Sequence, residues 1–469
     1  MASEIHSPVV IIGAGPAGLT AAHEAVKRNR PPVLLEKSRQ VGGIARTELY
    51  RGYRFDIGGH RFFTHFEGIQ RLWQEILKDD FIEVNRTSRI YYKKRFYQYP
   101  LSLMNALTNL GALEGLLILL SYIRAKIQPH EKEDNLEQWI ANRFGRRLYR
   151  TFFKTYTEKV WGIPCSEIQA DWAAQRIKGL SLRNVLFDAL KPGNANGAKT
   201  LIRRFHYPVL GPGMMWEGMQ QRIEQQGGTV LLNSEAVSLH RAEGRIVSVS
   251  VRQGNKEFRL SGDHVISSAP LDELVFLFDP PPPQEVVRAA GSLRHRDFIL
   301  VGLIVNKPRL FPDNWIYVHS PEVHVGRIQN FKNWSAAMAP DPGKSNLGME
   351  YFCSEGDILW KKSDAELIQT AKHELETLGL ASAASIEDGV VFRQRKAYPV
   401  YDSDYRNNIQ VIRNFLETVS NLQTIGRNGL HRYNNQDHSM LTATLAIGNL
   451  FGEKNDLWAV NTEPAYYEQ

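Results

Sequence analysis

The chain has 469 residues, of which 43% are hydrophobic and 23% are charged, and its formal net charge is +7. This length allows two or three packed units, and the composition is typical of a soluble globular protein. Cys165 and Cys353 are the only cysteines in the sequence. They do not suggest a disulfide framework or a metal cluster, so we expect no metal site and a reducing, cytoplasmic location.

The charge distribution and the apolar segments limit the classes of partner. Basic residues are scattered rather than grouped in blocks, so nucleic acid is not expected, and the polar start of the chain does not resemble a secretory signal. Residues 110–123 are strongly apolar, but this run is shorter than the roughly 20 residues that span a bilayer, and it contains Glu114. We therefore expect a buried or half-buried helix there, with peripheral membrane contact as the less favoured alternative.

A glycine-rich turn follows the first hydrophobic run. Residues 8–13 have the pattern of a buried strand, and Gly13, Gly15 and Gly18 give the spacing G-x-G-x-x-G before a helix predicted to residue 28. A second strand at 33–36 ends in Glu36, 18 positions after Gly18. The order of strand, glycine turn, helix, strand and acid predicts a Rossmann-type βαβ unit that binds pyrophosphate at the helix N-terminus and ribose at Glu36.

Two further glycine turns extend this pattern and indicate which dinucleotide is bound. Gly42-Gly43 and Gly58-Gly59 mark places where the backbone is expected to lie close to a flat or phosphorylated ligand. Their order resembles that of the flavoproteins with two dinucleotide-binding motifs, so the predicted cofactor is FAD. The predicted cofactor-binding residues are Gly13, Gly15, Ala17, Gly18, Glu36, Lys37, Gly43, Ile44, Gly59, His60, Arg61, Val237, Gly426, Arg427, Ser439 and Met440.

The remaining segments predict a fold of class α/β. The texture is helical from about 69 to 190, including a helix candidate at 136–153, and a loop is predicted at 191–199. Strands are predicted at 229–232, 246–251, 264–266, 298–305 and 423–425, a proline run marks a junction at 280–283, and helices are predicted at 365–378 and 439–451. We expect a discontinuous FAD-binding domain (1–75, 205–290 and 415–469), with an inserted helical domain (76–204) and an inserted mixed β-sheet substrate domain (291–414).

Several motifs resemble those of the UDP-galactopyranose mutases, within the superfamily of amine oxidases and protoporphyrinogen oxidases. Residues 58–64 (GGHRFFT) resemble G-P-H-x-F-H-T, and residues 152–162 (FFKTYTEKVWG) resemble F-x-x-x-Y-T-x-K-Q-W-G. Residues 327–334 resemble R-I-x-E-x-K-x-F, and Glu350-Tyr351 resembles the E-Y that follows. Tyr398-Pro399-Val400 and the pair Gly426-Arg427 with Arg432-Tyr433 resemble the C-terminal mutase motifs.

This resemblance implies a reaction and a set of residues. The mutases interconvert the ring sizes of a sugar attached to a diphosphate, through N5 of the reduced flavin. By motif position, the implied catalytic residues are Arg327, Tyr398, Tyr433 and His60, and the implied substrate-binding residues are Trp161, Arg176 and Arg432. Arginine forks and tyrosine hydroxyls are the groups that would hold a departing diphosphate.

Three departures from the mutase motifs leave other functions open. Gly326, Ala397 and Asn435 stand where the mutases have threonine, tyrosine and an acidic residue. The alternative is an FAD-dependent oxidoreductase acting on a sugar, an amine or an isoprenoid-type substrate, and a flavin-binding scaffold or sensor is a third possibility. The sequence has no second glycine fingerprint for a nicotinamide, so a reductant such as NAD(P)H would dock transiently.

Overall fold

The computed structural model describes residues 5–99, 105, 109–170 and 204–462. At its centre, β1 (Ile5–Ile12) pairs in parallel with β2 (Pro32–Leu35), and α1 (Pro16–Lys27) connects them. Small side chains fill the buried face of α1, which lets this helix pack closely on the sheet. The predicted βαβ unit is confirmed.

This unit is part of the first of two large sheets. Its other strands are β9 (Thr229–Leu231), β10 (Ser234–Ala242), β11 (Arg245–Gln253), β12 (Lys256–Ser267), β13 (Phe278–Asp279) and β19 (Leu422–Thr424). The order is β13-β10-β11-β12-β1-β2-β9, and β19 also pairs with β12. The strands predicted around 229–232, 246–251, 264–266 and 423–425 are therefore confirmed, and the predicted proline junction directly follows β13.

The second large sheet carries the other half of the molecule. Its strands are β6 (Ser88–Tyr92), β7 (Arg95–Gln98), β14 (His295–Val305), β15 (Trp315–Val318), β16 (Arg327–Asn330), β17 (Ser345–Cys353) and β18 (Ile386–Pro399), in the order β18-β14-β17-β16-β15-β6-β7. The central strands β14 and β17 are almost wholly buried, because both faces of the sheet are covered. Two small sheets pair β3 (Thr47–Tyr50) with β4 (Tyr53–Asp56) and β5 (Phe81–Asn85) with β8 (Arg204–Pro208).

The helices surround these sheets. They are α2 (Glu67–Leu77), α3 (Ala112–Ile127), α4 (Leu136–Phe144), α5 (Arg146–Leu148), α6 (Thr155–Trp161), α7 (Gly213–Gln225), α8 (Leu271–Phe276), α9 (Gln284–Gly291), α10 (Ile358–Lys361), α11 (Asp364–Thr377), α12 (Tyr405–Leu416), α13 (Gly426–Gly429) and α14 (Gln436–Leu450). The predicted helix at 365–378 is confirmed as α11, and the C-terminal helix begins at Gln436, three residues before its predicted start. The three predicted domains remain a prediction, and the predicted loop at 191–199 lies outside the described residues.

The predicted helix at 136–153 is interrupted. Gly145 has φ +82° and terminates α4, and a side chain there would meet the backbone of Tyr122 at 2.8 Å. A π-helical stretch, Tyr149–Lys154, then leads into α6. The break changes the direction of the chain, so α6 runs against the second sheet and brings Tyr156 and Trp161 to it.

The apolar run near residue 110 forms α3. This helix is half-buried, as one of the two alternatives predicted, because Gly115 and Ile118 face the protein. Its outward face is apolar and carries Leu113, Leu116, Leu119, Leu120, Ile123 and Ile127. Within the described part of the chain, no helix is long and apolar enough to cross a membrane.

Candidate active site

The glycine turn after β1 is fixed by close backbone approaches. Gly13 has φ +95°, and a side chain there would meet Ser268 Oγ at 2.4 Å. A side chain at Gly18 would meet the carbonyl oxygen of Gly13 at 1.8 Å, so α1 can pack on the turn only when residue 18 is glycine. Gly15 differs, because a Cβ there would meet no atom beyond its chain neighbours closer than Gly43 Cα, at the ordinary contact distance of 3.8 Å. Gly15 therefore borders open space at the N-terminus of α1.

Two more elements surround this open space. Gly43, with φ +55°, lies so close to Gly15 that a Cβ at Gly43 would be 3.1 Å from Gly15 Cα, and Ile44 follows in the same turn. The Glu36 carboxylate accepts hydrogen bonds from the Ala14 amide at 2.7 Å and from the Ser38 amide at 2.9 Å. No side chain caps the N-terminus of α1. An uncapped helix start beside a carboxylate and two glycine turns fits a pyrophosphate and a ribose.

A second helix start lies beside the glycine turns of α1. Gly426 packs against α1, where a Cβ would lie 2.8 Å from the Ala17 Cβ, and its amide donates to Thr442 Oγ1 at 2.9 Å. The following helix, α14, begins without a side-chain cap, and Ser439 and Met440 are buried in its first turns. Ala17, Gly426 and α14 are therefore neighbours, although they lie at opposite ends of the chain, and their role toward FAD stays a prediction.

The other predicted cofactor residues occupy more varied positions. Val237 is half-buried on β10. Lys37 is exposed and pairs with Glu273 at 3.6 Å. Arg61 lies in the segment after β4, where the next residue, Phe62, pairs with His206. Their roles toward FAD remain predictions.

His60 lies in the turn between the two halves of the molecule. Its Nε2 lies 2.9 Å from the carbonyl oxygen of Ile57, so this nitrogen carries the proton. Burial lowers the pKa of His60 to about 4, and the positive charges of Arg427 and Arg327 act in the same direction. The imidazole is therefore neutral at pH 7. Gly59 in this turn lies close to the Gln329 side chain of β16, since a Cβ at residue 59 would be 2.6 Å from Gln329 Nε2.

Arg327 is held at the start of β16 by a buried carboxylate. Its Nε donates to Glu350 Oε2 at 2.6 Å, and Gln329 donates to the other oxygen of Glu350 at 2.8 Å. Burial alone would lower the pKa of Arg327, but the negative charge of Glu350 raises it well above its usual value. A Cβ at Gly58 would lie 3.7 Å from Arg327 Nη2 and 3.9 Å from His60 Nε2. The guanidinium therefore lies beside the His60 turn, as expected of a residue near the flavin.

Aromatic side chains enclose the same region. Tyr398 and Tyr433 stack with ring centroids 5.6 Å apart, and Trp161 lies 6.4 Å from Tyr398 and 6.2 Å from Tyr433. The guanidinium of Arg427 covers the Tyr433 ring at 4.5 Å. Burial and the neighbouring Tyr433 raise the pKa of Tyr398, so its hydroxyl stays protonated and can donate at neutral pH. Three residues predicted from separate motifs thus form one cluster.

Arg427 and Arg432, the two arginines of the C-terminal motif, contact different parts of the protein. Arg427 donates to the carbonyls of Asn434 and Ala397 and stays on the tyrosine cluster. Arg432 instead donates Nη1 to the carbonyls of Trp458 at 2.5 Å and Val460 at 2.7 Å. Its substrate-binding role remains a prediction, and these two hydrogen bonds hold its side chain on the C-terminal segment. Arg176 lies outside the described residues.

Several residues of this site were not predicted. Tyr317 lies opposite Arg327 in the pairing of β15 with β16, and Tyr156 packs on Tyr317 with ring centroids 5.7 Å apart. Both tyrosines contribute to the electrostatic environment of Arg327. Tyr156 lies inside the quoted motif at 152–162, and Glu350 inside the quoted E-Y pair, so the motifs contained a signal for both. Tyr317 had no such signal.

Comparison with known proteins identifies the family. Residues 16–401 match the profile of the flavin containing amine oxidoreductases. A Mycobacterium tuberculosis protein described as a flavin-containing monoamine oxidase, AofH, is 24% identical over 297 residues, which are 60% of this chain. The chain spans 61% of the length of that relative.

Solved structures give the same fold. A reduced UDP-galactopyranose mutase superposes with TM-score 0.85 at 21% identity, over 98% of both chains. An Exiguobacterium sp. 255-15 protein described as a protoporphyrinogen oxidase gives TM-score 0.71 at 17% identity, over 96% of this chain and 99% of that one. Putrescine oxidase bound to putrescine gives 0.63 at 16% identity, over 96% and 100%. The chain belongs to the flavin containing amine oxidoreductase family, as an FAD-dependent enzyme with a mutase-like fold.

Proposed function

We propose that this enzyme isomerises a sugar attached to a diphosphate, in a redox-neutral reaction that requires the reduced flavin. The observation that carries the proposal is the position of Arg327 beside the His60 turn and the buried Glu350. When bound, FAD in its reduced form supplies a nucleophilic nitrogen that can attack the anomeric carbon. The departing diphosphate then needs a cationic, hydrogen-bonding cradle.

Arg327 suits the diphosphate because Glu350 fixes its orientation. With Nε committed to Glu350, the terminal nitrogens Nη1 and Nη2 remain for two phosphate oxygens. A planar guanidinium fork makes such paired contacts, which a lysine ammonium cannot. The protonated Tyr398 hydroxyl adds a neutral donor, and the buried Trp161 packs beside the Tyr398 and Tyr433 rings.

The charges at the site also bear on the alternative, oxidation of an amine. Arg327 and Arg427 both act on the electrostatics of His60, whereas Glu350 neutralises Arg327 alone. A cationic amine beside this excess positive charge would be repelled, while a diphosphate would be attracted. The family and the AofH relative, described as a monoamine oxidase, are the arguments for the alternative, oxidation of an amine.

The test is an anaerobic incubation of the holoenzyme with nucleotide diphosphate sugars, with and without dithionite. We expect a ring-isomerised product after reduction, many turnovers for each reduced flavin, and no activity with oxidised flavin. Consumption of one equivalent of oxidant or reductant for each product would instead assign a net oxidoreductase.

A further inference from the structure

A buried guanidinium without a hydrogen-bond partner lies beyond the cluster described above. Arg86 is in the bend between β5 and β6, and its Nε, Nη1 and Nη2 are all buried with no partner among the described residues. Its guanidinium carbon lies 5.2 Å from the centroid of the Tyr99 ring and 5.5 Å from that of Trp315. Arginine stays charged at any physiological pH. Ring contacts offset only part of the cost of burying this charge.

Arg89, three residues later, shows how the same chain satisfies a guanidinium that has a structural role. Arg89 donates Nε to Asp313 at 3.0 Å and Nη2 to the same carboxylate at 2.6 Å, and it also covers the Phe96 ring at 4.1 Å. Arg86 has the ring contacts but no carboxylate. Arg86 therefore lacks the acceptor that a structural arginine has, as far as the described residues go.

Two more polar groups without partners lie next to Arg86. Trp315 Nε1 and Ser88 Oγ are buried and make no hydrogen bond with any residue that the structure describes. Ser88 and Trp315 are direct partners in the pairing of β6 with β15, so their side chains point to the same face of the sheet. With Arg86 they offer a set of donors to a ligand that carries acceptors.

This face of the sheet continues to Arg327. Trp315 and Tyr317 are two residues apart on β15, so they share a face at a spacing of about 7 Å, and Tyr317 lies opposite Arg327. Tyr99 contacts Tyr317 with ring centroids 4.9 Å apart. An aromatic surface therefore connects the Arg86 cluster with the proposed diphosphate site.

We propose that Arg86, Ser88 and Trp315 form a second anion-binding subsite, which holds a phosphate or carboxylate group of the substrate remote from the flavin. This inference rests on the proposed function for its assignment to the substrate, since the ligand would then carry a diphosphate at Arg327 and a second anionic group at Arg86. A phosphate on the carrier and a carboxylate on the sugar share this chemistry.

The test is a calorimetric titration of the oxidised holoenzyme with inorganic pyrophosphate, which measures the number of binding sites and their affinities. The same titration is made with the variants Arg86→Met, Arg89→Met and Arg327→Met. We expect two sites in the unmodified enzyme. Arg86→Met should weaken one of them about tenfold or more, as loss of a charge-assisted contact predicts. Arg327→Met should weaken the other, and Arg89→Met should change neither. Uridine 3′,5′-bisphosphate and glucuronic acid 1-phosphate then distinguish a second phosphate from a carboxylate.

Thermal stability separates a ligand subsite from a structural role. Without added anion, Arg86→Met should melt at or above the unmodified enzyme, because it removes an uncompensated buried charge, whereas Arg89→Met should melt lower. A lower melting temperature for Arg86→Met with unchanged pyrophosphate binding would overturn the subsite. If Arg86→Met loses a site while Arg327→Met loses none, the subsite stands and the proposed diphosphate clamp fails. Absence of any site in the unmodified enzyme refutes both.

Discussion

The cofactor end and the substrate end of the molecule are built by different means. At the end predicted to hold the cofactor, the backbone forms the site, through glycine turns at Gly13, Gly43 and Gly426 and the uncapped start of α1. At the end proposed to hold the substrate, charged and aromatic side chains form the site, with Arg327 on Glu350 and Tyr398 on Tyr433. Backbone sites depend on local sequence, whereas side-chain sites depend on which strands become neighbours. The two ends should therefore respond differently to substitution.

The largest effect is expected at Gly15. Because Gly15 borders open space, Gly15→Val can fold, but its branched side chain fills the position where a pyrophosphate approaches the helix start. We expect complete loss of the yellow FAD absorbance with an unchanged far-UV circular dichroism spectrum. Gly18→Ala is the matched control, since its Cβ would collide with the Gly13 carbonyl and should impair folding itself. Retention of FAD by Gly15→Val would contradict the assignment of the cofactor end.

At the substrate end, Arg327→Ala should reduce kcat/KM by about 10²-fold, with the FAD spectrum retained. Arg327→Lys should recover only part of this loss, because it keeps the charge but not the fork. Tyr433→Phe should have a smaller effect, since a neutral hydroxyl contact is weaker than a charged one.

Arg327→Ala also leaves Glu350 buried without its cation, which lowers the stability of the fold. A control must therefore separate this loss of stability from the loss of kcat/KM. The double variant Arg327→Ala/Glu350→Gln removes that unpaired charge. If the double variant regains both stability and activity, then Arg327 acts on the fold and not on the substrate.

An intermediate effect is expected at Lys159, which lies on α6 beside the loop that precedes Arg327. Its Nζ donates to the carbonyls of Ser320 at 3.0 Å, Val323 at 2.9 Å and Val325 at 3.1 Å, and so holds α6 on the loop before Arg327. Burial lowers the pKa of Lys159 to about 8, which still leaves the ammonium predominant at pH 7. Lys159→Met should cost about 2–4 kcal/mol of unfolding free energy in urea titrations. Lys154 is exposed, and Lys154→Met serves as the control, with an expected change of less than about 0.5 kcal/mol. If the two variants change the unfolding free energy equally, the carbonyl contacts of Lys159 contribute nothing to stability.

The same contrast explains what the sequence could predict. The turn at Gly13, the acid Glu36 and six of the eight strands of the first sheet, all but β10 and β13, followed from local pattern, because turn geometry is decided within a few residues. Arg327, Tyr398 and Tyr433 were predicted through resemblance alone, and their clustering agrees with it. Tyr317 was not found, because its place beside Arg327 depends on the register of β15 against β16. The local pattern of one amino-acid sequence does not predict that register.

Contacts that are distant in sequence also decide the helical segment at 136–153, which was predicted as one helix. The sequence is helical in texture on both sides of residue 145, so one helix was predicted at 136–153, where the structure has three helical segments. Gly145, at φ +82°, decides this, because it allows the backbone of the next segment to pass Tyr122 closely. A glycine inside a helical pattern is ambiguous without knowledge of what approaches it.

The smallest expected effect concerns Asp56, where the two ends meet. Its carboxyl accepts hydrogen bonds from Thr47 Oγ1 at 2.8 Å and from the Tyr207 hydroxyl, and burial raises its pKa to about 7. An acid whose pKa is higher in the folded than in the unfolded state binds more protons when folded, so between about pH 4 and pH 7 the fold loses stability as pH rises. Asp56→Asn cannot ionise and should escape this loss. Relative to the unmodified enzyme, we expect the variant to gain about 1–3 kcal/mol of unfolding free energy between pH 5 and pH 8. If the unfolding free energies of the two proteins instead change with pH in parallel, Asp56 is already ionised at pH 5. Its two hydrogen bonds then lower its pKa by more than burial raises it.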